Sequence, residues 1–142
     1  MGQVSTTRRY RFCAAHRLHT EQLSEEENRV VFGKCNNANG HGHNYVVMVT
    51  VKDPTSTAKV DLAELDRIVT DTIVTRWDHQ DLNLDPEFAN VTTTGENLVK
   101  LIWKLLVTKL PDGQLEKVGL IETRDNYFEY AGTGERRGGS HA

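Results

Sequence analysis

His41-Gly42-His43, followed directly by the valine-rich run Asn44 to Lys52, constrains this chain more than any other stretch. In extended backbone the side chains at i and i+2 share a face, so these two imidazoles stand side by side. Such a pair is half of a zinc site, and the missing donor must come from elsewhere in the fold. Cys35 lies six residues before His41, near enough for a thiol to act on whatever the metal holds. This is the pattern of a small metalloenzyme.

A strand that could supply the third donor lies upstream. From Arg8 to Leu18 the residues alternate, with Tyr10, Phe12, Ala14 and His16 on one face and Arg9, Arg11, Cys13 and Arg17 on the other. If this strand pairs antiparallel with Asn44 to Lys52, its end lies beside the start of the second. His16 then falls close to His41 and His43; His19 and His79 are the competing donors. Three protein ligands with an open fourth position describe a catalytic zinc. Cys35 as a fourth ligand would close the site and make it structural. The polar, turn-prone Gly33-Lys34-Cys35-Asn36-Asn37 does not suit a buried apolar cysteine, and Lys34 with a nearby metal would favour the thiolate.

The remaining segments follow in order. His19 to Asn39 is a polar, irregular loop of a length that, in a compact domain, is usually either functional or disordered. Asp61 with Glu64 forms a capping-box pattern. Leu62, Leu65, Val69, Ile73 and Trp77 then recur at helical spacing, predicting a helix that ends near Arg76. Asp78 to Thr92 reads as a loop. Thr93 with Glu96 caps a second helix through Leu98, Leu101, Ile102, Leu105 and Leu106, stopped by Pro111-Asp112-Gly113. Strands are expected over Glu116 to Thr123 and Tyr127 to Ala131, joined at Arg124-Asp125-Asn126. The class is therefore α+β, in the order β-β-α-α-β-β: a four-stranded antiparallel sheet with two helices on one face. Its edges are uncovered, and oligomerisation through them is the natural resolution.

Composition narrows the class. The 142 residues suit one domain, 1–142, with flexible ends over about 1–7 and 132–142. A net charge of -3 argues against nonspecific nucleic-acid binding. No run is long and apolar enough for a membrane span, and the first residues lack the apolar core of a secretion signal. The two cysteines, Cys13 and Cys35, are then read as reduced, in a cytoplasmic enzyme.

Three further groups carry chemistry or have an ordinary explanation. Asp78 beside His79 is either a carboxylate orienting an imidazole or a surface pair at a helix end. Glu122 ends an otherwise apolar strand. It is an exposed terminal charge or an acceptor for the two-pronged N–H edge of a heterocycle. Thr94 and Glu96 sit in Thr93-Thr94-Gly95-Glu96-Asn97, which helix capping alone would also explain.

Taken in order, these segments resemble the 6-pyruvoyl-tetrahydropterin synthase family, of eukaryotic type, within the tunnelling-fold (T-fold) superfamily. The resemblance runs from about Arg8 to Tyr130. It rests on Phe12-Cys13-Ala14-Ala15-His16-Arg17-Leu18, on Phe32-Gly33-Lys34-Cys35-Asn36-Asn37 continuing to Gly40-His41-Gly42-His43-Asn44-Tyr45, and on Asp78-His79, Thr94, Glu96-Asn97 and Glu122-Thr123. It implies that His16, His41 and His43 hold Zn2+. It makes Cys35 the general base, completed by Asp78 and His79 across a subunit boundary. Glu122 would anchor a pterin ring, assisted by Thr94 and Glu96. The implied substrate is 7,8-dihydroneopterin triphosphate, converted to 6-pyruvoyl-tetrahydropterin and triphosphate. The implied assembly is a homo-hexamer, two trimers stacked into a barrel around a tunnel. The alternatives are the sister reaction of 6-carboxy-tetrahydropterin synthase, aldol cleavage of dihydroneopterin, and a noncatalytic zinc-binding module. Gly95 departs from the family, which often carries a hydroxyl residue there.

Overall fold

The computed structural model of the protein describes residues 3–16, 24, 26–27, 41–122 and 126–132, with His41 described by its backbone alone. Strands β1 (Ser5–His16) and β2 (His41–Lys52) pair antiparallel over their full length, from Ser5 opposite Lys52 to His16 opposite His41. The first strand thus begins before Arg8, at Ser5, and runs to His16; Arg17 and Leu18 lie outside the described residues. Residues 5–7, expected to belong to a flexible end, are opposite Thr50 to Lys52. Alternation along β1 holds: Phe12, Ala14 and His16 are buried, with partly exposed residues between them.

Helix α1 starts at Leu62, capped by Asp61, which accepts from the Glu64 backbone N–H at 3.1 Å. The reciprocal half of a capping box is not made. Glu64 instead takes Arg67, one turn on, at 3.1 and 2.5 Å. The helix is α over Leu62–Val69, π over Thr70–Val74 and α again over Thr75–Trp77. Its buried residues Leu65, Val69, Ile73 and Trp77 fall every fourth position. In a pure α-helix of 3.6 residues per turn, a four-residue spacing drifts about 40° at each step. The wider i→i+5 winding of the π segment turns less per residue and offsets that drift. All four of these residues therefore stay on the sheet.

The sheet has five described strands in the order β3-β1-β2-β4-β5, not four. The added strand is β3 (Gln80–Asp81), which pairs parallel with Ala14 and Ala15 of β1. The sheet is therefore mixed, and the stretch read as a plain loop from Asp78 to Thr92 carries an edge strand and two 3-10 turns, Leu82–Leu84 and Pro86–Phe88. A two-residue strand leaves no alternation to read in the sequence. β4 (Leu115–Glu122) lies on β2, and β5 (Asn126–Tyr130) on β4, both antiparallel.

Helix α2 (Gly95–Val107) is capped by Thr94, not Thr93, through the Asn97 N–H at 3.2 Å. The Asn97 side-chain amide donates to Thr92 O at 3.0 Å, which ties the helix start to the residues before it. Gly95 has a packing reason. A Cβ there would stand 2.6 Å from Cδ2 of Phe128, whose ring covers the helix start. Both helices bury their apolar stripes on one face of the sheet, against Tyr45, Val47, Val49, Val118 and Leu120. No described helix is long and apolar enough to cross a membrane. The expected loop His19 to Asn39, Arg124 and Asp125 of the expected turn, and the tail beyond Gly132 lie almost wholly outside the described residues, while Asn126 begins β5.

One buried carboxylate ties the end of α1 to the turns that follow. Asp85 accepts from Arg76 Nε at 2.7 Å and Nη2 at 2.8 Å, and from Trp77 Nε1 at 2.6 Å. The Asp85 carboxylate is 7% exposed, and the Arg76 guanidinium holds the carboxyl well below the usual range. A depressed pKa gives stability that is complete above the ordinary carboxylate value and lost as pH falls from there toward the folded one. Asp85→Asn should therefore cost about 2 kcal/mol at pH 7, since Arg76 is only partly buried. The gap from the parent should narrow below about pH 4 in denaturant titrations. Leu120→Ala, in a fully buried site on β4, should cost about 3 kcal/mol at either pH in the same titrations.

Candidate metal centre and the residues around it

The helix-facing side of the sheet is apolar along most of its length and ionisable at one end. The period of two places His16 after Phe12 and Ala14, His43 before Tyr45 and Val47, and Glu122 after Val118 and Leu120. Register brings these ends together: Ala14 is opposite His43, and Tyr45 is opposite Glu122. His16 Nε2 lies 3.5 Å and His43 Nε2 3.3 Å from Glu122 Oε2. The two imidazoles meet edge to face with ring centroids 4.7 Å apart.

The His16 ring is fully buried, and its Nδ1 lies 2.9 Å from the carbonyl oxygen of Thr93. A carbonyl only accepts, so Nδ1 carries the proton and Nε2 turns its lone pair toward Glu122. A backbone carbonyl fixing the far nitrogen is the usual support for a metal-binding imidazole. Lone pairs facing a carboxylate oxygen repel unless a proton or a cation lies between them. Donor atoms about 2.0–2.2 Å from a tetrahedral zinc are separated from one another by about 3.3–3.6 Å. The two measured histidine–carboxylate separations match that spacing, and the three donor atoms lie within 4.8 Å of one another. The residues therefore fit a zinc ion. Burial pushes the Glu122 carboxyl above its ordinary value, so the group is held in an apolar setting.

Of the three expected histidine ligands, His16 and His43 converge. The backbone of His41 is opposite His16, at a register position that shares a face with His43; its imidazole lies outside the described residues, as does Cys35. Glu122 is not at an exposed strand end. It is 8% exposed and belongs to the histidine pair, a placement that the strand's period of two contained.

Asp78 and His79 leave the end of α1 and attach to β1 through one residue. The Cys13 N–H donates to Asp78 Oδ1 at 2.9 Å, and the His79 N–H donates to the Cys13 carbonyl at 2.6 Å. His79 has φ 61°, and among the described non-glycine residues it alone has positive φ. Its imidazole is 81% exposed, with Nε2 3.6 Å from Asp78 Oδ2. Thr94 is the cap of α2, and Glu96 is exposed in the first turn. Sequence reasoning passed over Thr93, whose carbonyl orients His16, and the Arg76–Asp85 pair. A backbone acceptor leaves no mark in residue identity. The Arg76–Asp85 pair spans nine positions, outside any helical spacing.

Comparison with known proteins agrees with this architecture. The model of the family described as 6-pyruvoyl tetrahydropterin synthase matches residues 5–133. The human 6-pyruvoyl tetrahydrobiopterin synthase is 46% identical over 134 residues, covering 92% of each protein. The Drosophila melanogaster protein of the same name is 44% identical, over 89% of the present sequence and 78% of its own. The solved structure of Caenorhabditis elegans 6-pyruvoyl tetrahydropterin synthase superposes with a TM-score of 0.86 at 40% identity, over 94% of the present sequence and 98% of that one. A Plasmodium falciparum structure titled for the same enzyme, at 13% identity and a TM-score of 0.63, shares the fold. A family match across most of the sequence, joined to relatives at this identity and coverage, is decisive: the chain belongs to the 6-pyruvoyl tetrahydropterin synthase family.

Proposed function

We propose that this protein is a zinc-dependent phosphorus–oxygen lyase acting on 7,8-dihydroneopterin triphosphate to give 6-pyruvoyl-tetrahydropterin and triphosphate, a step in tetrahydrobiopterin biosynthesis. The observation that carries the reading is the buried cluster of His16, His43 and Glu122 at the ends of three paired strands, in a member of this family. In this reading residues 1–142 form one catalytic domain. It works in the cytoplasm as a homo-hexamer of two trimers closed into a barrel, and it engages neither nucleic acid nor membrane.

The roles are those that the family resemblance implies, and the chemistry of each group agrees with them. His16, His41 and His43 hold Zn2+, which supplies Lewis-acid polarisation to the two hydroxyls on the substrate's propyl arm. With His41 as the third donor, the Glu122 carboxylate, which stands at donor spacing from His16 and His43, is left to the substrate and accepts two N–H bonds from the pterin edge, with Thr94 and Glu96 assisting. The closeness of Glu122 to the histidines would lay the ring directly beside the metal. The Cys35 thiolate removes a proton from a hydroxyl-bearing carbon of that arm, and His79, oriented by Asp78, receives protons and returns them. The electron pair released from that C–H bond moves through successive tautomers into the pterin ring, which is reduced as the arm is oxidised. Triphosphate leaves by elimination with its bridging oxygen. The exposure of His79 suits a group offered to a site on a neighbouring subunit.

Anaerobic incubation of zinc-loaded protein with the substrate should release triphosphate and a pyruvoyl-pterin mass without acetaldehyde. Acetaldehyde with a carboxy-pterin would assign the sister reaction to the same site. An inert, well-folded, zinc-replete protein would favour the binding-module reading. Single variants divide the roles. His16→Ala should lose bound zinc and turnover together. Cys35→Ala should keep zinc, measured by atomic absorption, while turnover falls by at least about a hundredfold. Near-normal turnover in Cys35→Ala would remove Cys35 from the chemistry.

A further inference from the structure

The Arg76–Trp77–Asp85 cluster takes no part in the chemistry above, yet it encloses a segment that does. The Arg76 and Trp77 side groups that donate to Asp85 both come from the last turn of α1, and the Asp85 backbone begins the turn at Pro86. Asp85 also accepts from the Glu87 backbone N–H at 3.0 Å, which fixes that turn. The carboxylate therefore closes the segment from Trp77 to Asp85 into a loop. Asp78 and His79 stand at the head of that loop, and β3 is its middle.

His79 needs such a clamp. A bulky residue at φ 61° is in a sparsely populated region and stays there only when its surroundings over-determine it. Cys13 supplies one restraint, on the Asp78 carboxylate and the His79 N–H. β3 supplies little more, being two residues long. If the loop opened, residue 79 could relax to negative φ, which would turn the imidazole away and separate it from Asp78.

We propose that Asp85 is a positioning residue: by joining Arg76 and Trp77 to the turn at Pro86, it holds His79 left-handed and keeps the Asp78–His79 pair aligned. The proposal rests on the reading of His79 as a proton carrier. A purely structural anchor would also lower the melting temperature, but it would leave the turnover of the folded enzyme unchanged, or lower it independently of His79.

A double-mutant cycle on the zinc-loaded enzyme separates these cases. Asp85→Asn should leave zinc content unchanged and KM within about twofold, and lower kcat about tenfold, since a small misplacement of a proton-transfer group is costly. Asp85→Glu, which keeps the charge, should recover most of that loss. In a His79→Ala background the same Asp85→Asn change should lower kcat by less than about twofold, because the group it positions is gone. An equal tenfold loss in both backgrounds, or a lower melting temperature with parental kcat, would overturn the proposal. If Asp85→Asn does not fold, Arg76→Lys keeps the positive charge but gives up the two-pronged bond, and it is judged by the same cycle. A His79→Ala enzyme with full kcat would overturn the proton-carrier reading itself, and with it the role assigned to Asp85.

Discussion

The pairing of β1 with β2 is the constraint on which the rest of the structure depends. The ladder runs without a break from Ser5 opposite Lys52 to His16 opposite His41. Because successive residues alternate between the two faces, a slip of one residue would turn Phe12, Ala14 and His16 outward and expose the apolar face that both helices cover. The same slip would remove His16 from His43. Burial of Phe12, Tyr45, Val47 and Val49 therefore sets the register, and the register sets the site. β4 then needs only to continue the pattern on β2 to bring Glu122 beside the two imidazoles.

The cost of this arrangement is concentrated in one place. A fully buried histidine and a nearly buried carboxylate lie at the end of a hydrophobic layer, where unpaired charge is expensive. The Thr93 carbonyl fixes the tautomer of His16, and burial favours the protonated form of Glu122. A divalent cation held by the imidazoles would offset the same cost by another route, its charge facing the Glu122 carboxylate. Asp85 meets its burial differently, through a permanent partner in Arg76. One carboxylate is thus committed to structure, while the other remains responsive to what binds beside it.

Much of this was legible in the sequence because it is periodic. The strands containing His16 and His43 and both amphipathic helices follow from spacing, and once β1 and β2 are taken to pair antiparallel, His16 falls beside His43. What was not legible is local geometry without periodicity. β3 is two residues long, and its parallel pairing with Ala14 and Ala15 depends on where α1 ends. The shift of the α2 cap from Thr93 to Thr94 is of a single residue. It frees the Thr93 carbonyl for His16. The residues around Glu122 in sequence left a strand-end charge and a substrate acceptor both open, because the His16 and His43 it lies beside are distant in sequence. The departure at Gly95 is explained by the Phe128 ring, which occupies the space a Cβ would need.

If strand register builds a histidine metal site, the Cys35 thiol stays outside it and able to react. X-ray absorption at the zinc edge of the loaded protein tests this most directly. The account predicts nitrogen and oxygen neighbours at about 2.0–2.2 Å, with the outer-shell pattern of imidazole and no sulfur. A sulfur neighbour at about 2.3 Å would contradict it, because Cys35 or Cys13 would then be a ligand and the site a closed, structural one.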